Sequence, residues 1–205
     1  DLADGIIAGC LARSRGSARL CVIAFGKLGG RELNYSSDID LLGLCADGEE
    51  TGEASRLVEE LRADLSERTP EGHVYRVDLR LRPWGSAGEL VHPLAALVEY
   101  YAGRAETWEV QALLKARPVA GDLDLGAAFL EQVRPILLAR RPAAQVVSSI
   151  DRLRREALRR LARGIASTTD VKTGLGGIRD IEFMVQGLQL LHAAGKMGKR
   201  DLAVL

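Results

Sequence analysis

The stretch Ala24–Leu42, A-F-G-K-L-G-G-R-E-L-N-Y-S-S-D-I-D-L-L, constrains this chain more than any other. It begins and ends in apolar, strand-like sequence. Between these ends lie a glycine-punctuated turn, a lysine, adjacent serines and an Asp-x-Asp pair. On a β-strand, residues i and i+2 share a face, so the carboxylates of Asp38 and Asp40 project together. Two carboxylates about 4 Å apart repel by about 4 kcal/mol at an effective dielectric of about 20. A stiff strand that builds such a pair needs a bridging cation. Hard carboxylate oxygens suit Mg²⁺, which binds through one or two carboxylates plus substrate phosphates.

A chain of 205 residues can bury one sizeable core or two small ones. Lys+Arg and Asp+Glu both number 28, so the net charge is zero. Broad nucleic-acid binding depends on excess positive charge, and an aromatic content of 4% leaves little material for base-stacking platforms. No nucleic-acid partner is therefore expected. Cys10, Cys21 and Cys45 show no metal spacing, and an odd number fits a disulfide framework poorly. With no secretory signal and no membrane-crossing apolar run, a cytoplasmic location is expected, without a membrane partner. The chain starts at Asp1 and stops in continuing apolar sequence, as expected of a fragment of a longer polypeptide.

Periodicity predicts helices over Leu2–Arg13 and Glu53–Glu67, and a brief helical stretch at Arg31–Leu33 after a turn at Gly26–Gly30. Strands are predicted at Arg19–Phe25, Ile39–Leu44 and His73–Leu81. After Pro83–Gly88 the pattern turns helical: Pro93–Tyr101, Thr107–Ala116, Leu125–Leu138, Val147–Arg163 and Gly177–Ala194, with Pro118–Asp122 as a linker. The expected fold class is α+β, a small mixed sheet over residues 1–118 followed by an all-helical domain over 119–205.

Asp78 is the one carboxylate of the third predicted strand, among Arg76, Arg80 and Arg82. If that strand lies beside the Asp38/Asp40 strand, three carboxylates converge on a metal site. Two Mg²⁺ ions held there serve in-line nucleotidyl transfer, with Asp78 a candidate general base. The glycines of Gly26–Gly30 let backbone N–H groups approach phosphate, and Lys27, Ser36 and Ser37 add a charge and hydroxyls. The lysine precedes the glycine pair, so this is not a P-loop. Arg80 and Arg82 share one strand face and can clamp a polyphosphate with planar forks. Lys115 and Arg117 are further phosphate candidates. Arg152, Arg154, Arg155, Arg159, Arg160 and Arg163 make a basic helix of solvated character. Asp180 and Glu182 lie about 200° apart around a helix and cannot readily share a ligand. The three histidines suggest no metal or relay.

Four motifs, in order, carry a resemblance: G-K-L-G-G-R-E-L-N-Y-S-S-D-I-D-L, V-D-L-R-L-R-P-W-G-S-A-G, W-E-V-Q-A-L-L-K-A-R-P-V-A-G-D and G-G-I-R-D-I-E-F-M-V-Q. Together they resemble the glutamine-synthetase adenylyltransferase family from about Arg19 to about His192. The resemblance implies a core similar to the DNA polymerase β nucleotidyltransferase fold, followed by helices. It implies transfer of AMP from ATP to a tyrosine hydroxyl of glutamine synthetase, or phosphorolytic removal of AMP to give ADP. It maps Asp38, Asp40 and Asp78 onto metal carboxylates, and Gly29, Gly30 and Ser37 onto nucleotide-loop positions. In a full-length chain it also implies a nitrogen-signalling PII protein as partner. Full-length members carry one unit that attaches AMP and one that removes it. W-E-V-Q-A-L-L-K-A-R and G-S-A-G-E-L-V resemble the attaching unit; Y-R-V-D-L-R-L-R-P and G-G-I-R-D-I-E-F lean toward the removing one. Glu131–Arg141 lacks the tyrosine-and-arginine run of the removing unit, which tips the expectation toward attachment. Rival readings are the removing unit, a non-catalytic nucleotide- or regulator-sensing module, and a template-independent polymerase.

Overall fold

Five consecutive apolar residues, Leu20–Ala24, form β1, and every one is buried. The computed structural model that shows this describes residues 2–35, 37–70, 72–163, 171–172 and 174–192. β2, Ile39–Cys45, runs antiparallel to β1, from Leu20 opposite Cys45 to Ala24 opposite Leu41. On its other edge β2 pairs in parallel with two short strands in succession. β3, Val77–Asp78, lies beside Ile39 and Asp40, and β4, Val91–Pro93, lies beside Gly43–Cys45. β5, Arg117–Gly121, pairs antiparallel with β1 through a bulge between Val22 and Ile23. The sheet order is β3-β2-β1-β5, a small mixed sheet, as the expected α+β class requires.

Helices cover the sheet. α1, Leu2–Arg13, buries Ala3 and Ile7. α3, Thr51–Ser66, buries Ala54, Leu57, Val58, Leu61 and Leu65, an i, i+3, i+4 stripe. These residues form one core cluster with Leu20, Val22, Ile39, Leu41 and Val91. α4, Leu94–Gly103, follows β4 directly, and its Tyr101 ring lies 6.0 Å from Phe129 of α6, Leu123–Leu137. Burial pushes the Cys21 thiol up to about 12, so it packs as a neutral apolar group.

Several sequence expectations need correction. The long third strand shrinks to two residues because the Asp78 carboxylate accepts the N–H of Arg80 at 2.9 Å, a side-chain turn that ends the ladder. The short helix α2 lies at Gly26–Gly29, not at Arg31–Leu33. It closes where Arg31 N–H donates to Leu28 and Glu32 N–H to Lys27, with Arg31 left-handed at φ 58°. Pro118–Asp122 is no linker: Pro118–Gly121 is strand, and Asp122 accepts the Leu125 N–H at 3.0 Å and so caps α6.

The chain divides into two compact units, Asp1–Ala105 with Lys115–Arg134, and Glu106–Leu114 with Pro135–Leu205. Residues 119–134 thus belong with the first unit rather than with a domain starting at 119. The second unit gathers α5, Thr107–Ala112, α7, Ala143–Arg163, and α8, Ile178–His192. Gln111 donates to Gln186 at 2.7 Å, joining α5 to α8. Asp180 accepts the Gly176 N–H at 2.9 Å and pairs with Arg154, so it caps α8 and ties it to α7. The basic helix is less free than its sequence suggests, since Arg152 pairs with Glu106 and Arg155 with Asp151. No helix among the described residues is long and apolar enough to cross a membrane.

Candidate active site

The parallel register of β2 and β3 sets Asp40 directly opposite Asp78. Neighbouring strands lie about 4.8 Å apart and opposed residues share a face, so the two carboxylates rise from one edge of the sheet. Asp40 also meets the glycine turn. A Cβ built on Gly26 would lie 2.7 Å from Asp40 Oδ2, and Gly26 has φ +54°. The Phe25 N–H donates to the Asp40 carbonyl at 2.9 Å, so the backbone also ties β2 to the residue just before the turn. The turn therefore packs directly on the Asp40 carboxylate, and Gly26 is the residue that joins them. Its signal was the position directly after a buried strand, where a left-handed residue is needed to start α2.

The arginines decide the electrostatics. Arg80 Nε lies 2.9 and 3.0 Å from the two Asp78 oxygens, and its Nη2 2.5 Å from Oδ2. The Arg80 side-chain hydrogen bond is the largest cause of the lowered Asp78 pKa; burial opposes it and the Arg80 backbone N–H reinforces it. Asp78 is thus firmly ionised, and a weak proton acceptor while the fork is in place. Arg76 Nε reaches Asp38 Oδ1 at 2.5 Å. Asp38, Asp78, Arg76 and Arg80 line one cleft of ≈ 670 Å³ together with Arg62, Arg82 and Glu59. Arg62 is bound by Glu59 at 2.6 Å.

The other predicted residues fall as follows. Arg82 donates to the carbonyls of Leu79, Ser86 and Gly88, so it sews together the loop after β3 instead of presenting a free fork. Lys27 Nζ lies 3.4 Å from Asn34 Oδ1, and the Ser37 hydroxyl donates to the same oxygen. Ser36 lies outside the described residues. Gly29 is buried, and a Cβ there would lie 1.9 Å from the Lys115 carbonyl oxygen, so close backbone packing accounts for it. A Cβ on Gly30 would come 3.1 Å from Lys115 Cδ. Lys115 Nζ is held by Glu32 at 2.7 Å. Arg117 donates to Asp4 through both terminal nitrogens at 2.9 Å, and to the carbonyls of Leu28 and Gly29. Lys115 and Arg117 thus brace the glycine turn.

Hard carboxylate oxygens in register fit a divalent cation that completes its shell with water and phosphate. They do not make a closed protein cage. Among the described residues no group of three or more His, Cys, Asp or Glu side chains is arranged to hold a metal ion. The ion pairs to Arg76 and Arg80 engage Asp38 and Asp78 separately.

A small mixed sheet with an acidic pair in register beside a glycine turn defines a nucleotidyltransferase-like α+β core. Comparison with known proteins narrows this. Residues 5–132 match the model of the glutamate-ammonia ligase adenylyltransferase family, and the chain belongs to that family. Residues 147–204 match the GlnD PII-uridylyltransferase model. A bifunctional glutamine synthetase adenylyltransferase/adenylyl-removing enzyme of Streptomyces avermitilis is 40% identical over 98% of this chain and 21% of its own length. Proteins of the same name from Streptomyces coelicolor and Thioalkalivibrio sulfidiphilus are 42% and 44% identical, over 94% and 85% of this chain and 21% and 19% of theirs. The chain thus spans about one fifth of the length of these relatives.

Proposed function

We propose that this chain is an adenylyl-transfer unit that moves AMP from ATP onto a tyrosine hydroxyl of glutamine synthetase. The observation that carries the reading is the register of Asp40 against Asp78, with Gly26 packed on the Asp40 carboxylate. The names of the relatives support adenylyl transfer as the chemistry and glutamine synthetase as the target. A PII protein as regulator of a longer polypeptide belongs to the same reading, with support from the name of the second matched family.

Asp40 and Asp78, with Asp38 beside them, would hold Mg²⁺, two ions in the full reading, which supplies charge neutralisation at the phosphates. The chain's own residues do the rest. Lys27, next to Gly26 in the turn, sets a positive charge there for phosphate, while the Gly29 and Gly30 N–H groups are taken by the Phe25 and Gly26 carbonyls. Arg76 and Arg80 line the cleft and balance the charge of an incoming polyphosphate. Asp78 sits nearest to the role of proton acceptor for the tyrosine hydroxyl, in step with release of its arginine.

The test is a transfer assay with the chain, α-labelled ATP, Mg²⁺ and unmodified glutamine synthetase. Label is expected on the synthetase, and Asp40→Asn is expected to lower the rate by about 100-fold or more with thermal unfolding unchanged. Undiminished transfer by Asp40→Asn would refute the site. ADP released from adenylylated synthetase and phosphate, with no forward transfer, would assign the chain to the removing reaction instead.

A further inference from the structure

We infer that Arg80 is a built-in counter-cation of the acidic pair: a divalent ion reaches Asp78 only by displacing the Arg80 fork. The freed guanidinium is then left in the cleft as a phosphate ligand. This rests on the adenylyl-transfer reading and adds an ordering to it.

The geometry carries it. Asp78 has two carboxylate oxygens, and Arg80 contacts both through Nε and one of them again through Nη2, while its own backbone N–H holds Oδ1. A cation seated on those oxygens and the guanidinium compete for the same lone pairs. The Asp78 side chain is 20% exposed whereas that of Arg80 is 71% exposed, so the carboxylate is fixed and the arginine is the partner that can swing away. The cleft around it holds three other arginines, and two of these have other duties. Arg62 is bound by Glu59, and Arg82 by three backbone carbonyls of its loop. Arg76 pairs with Asp38 through Nε on Oδ1. Arg80 is thus the cleft arginine paired with a half-buried candidate metal ligand and itself mounted at the surface, where it can turn toward an anion.

The arrangement makes cation and phosphate helpers of one another. Phosphate draws Arg80 off the carboxylate, and the cation fills the place. Neither bound alone gains the full interaction, so the site resists a stray divalent ion without nucleotide.

Binding of Mn²⁺ alone, followed by electron paramagnetic resonance in phosphate-free buffer, tests this without any turnover. Arg80→Gln is expected to bind Mn²⁺ about fivefold or more tightly than the unaltered chain, the size of a lost charge-assisted contact. Arg80→Lys, which keeps the charge but not the fork, is expected in between. Arg80→Gln combined with Asp78→Asn is expected to lose the gain. Equal or weaker Mn²⁺ binding by Arg80→Gln would overturn the displacement while leaving the metal reading standing. Absence of Mn²⁺ binding from every variant, with circular dichroism unchanged, would overturn both.

Discussion

A methyl group at position 26 would lie 2.7 Å from Asp40 Oδ2, and the backbone there holds φ +54°. Together they disfavour any side chain: a left-handed residue other than glycine costs about 1–2 kcal/mol, and the methyl would push the Asp40 carboxylate aside. Gly26→Ala is therefore expected to lower stability by about 1–3 kcal/mol and to displace the Asp40 carboxylate. Adenylyl transfer should fall by a larger factor than the stability loss alone explains. Urea unfolding measured beside the transfer assay separates the two; a variant that is destabilised yet fully active would dissociate Gly26 from the site. Asp40 was legible as a strand carboxylate; Asp38 lies just before β2, so strand parity does not set its face. The opposition of Asp40 to Asp78 was not legible, since register between strands 38 positions apart depends on long-range packing. Nor was the capture of Asp38 and Asp78 by arginines, which sequence spacing could place nearby but not aim.

At the scale of elements, β5 and α2 explain each other. β5 was hidden from sequence reasoning because Pro118 and Gly121 punctuate so short a run that it resembles a connection. Its partner β1 supplies what the run lacks, pairing Cys21 with Gly121 and Val22 with Ala120. Arg117 at the start of β5 then grips α2 by the carbonyls of Leu28 and Gly29, and α1 by Asp4. The K-A-R-P segment thus braces the glycine turn. The Asp4 carboxyl is held below the usual carboxylate value of 3.8, first by its hydrogen bond to Arg117 and against the opposing effect of burial. A depressed folded-state pKa means that the stabilisation is present above 3.8 and fades as pH falls through the lower, folded value. Asp4→Asn is expected to cost about 1–2 kcal/mol at pH 7, with the gap to the unaltered chain closing below about pH 4. Chemical unfolding at a series of pH values reads this directly, and a gap that stays constant into acid would remove the ion pair from the account.

The whole molecule is two compact units through which the chain passes three times, after residues 105, 114 and 134. Composition marks a change from mixed to helical sequence, and a cut at 118 follows from that change. The physical cut differs because one unit borrows late sequence: β5 completes its sheet, and α6 adds Leu125, Phe129 and Val133 to its buried interior. A fragment ending at 118 would lack Val119 and Ala120, both nearly fully buried, and leave the β1 edge open beside Cys21 and Val22. It would also lose Phe129 from against Tyr101, and Asp122 from its 2.6 Å pair with Arg19. Burial of a Val, Leu or Phe side chain contributes about 1.5–3 kcal/mol, so Val119, Leu125, Phe129 and Val133 together account for about 6–12 kcal/mol. That is the size of a whole domain's net stability, about 5–15 kcal/mol. Residues 1–118 alone are therefore expected to show no cooperative thermal transition by circular dichroism and poorly dispersed amide resonances, where the 205-residue chain melts cooperatively. A sharp melt and a dispersed spectrum from residues 1–118 would mean that β5 and α6 are accessories, and that the glycine turn keeps its shape without the late part of its scaffold.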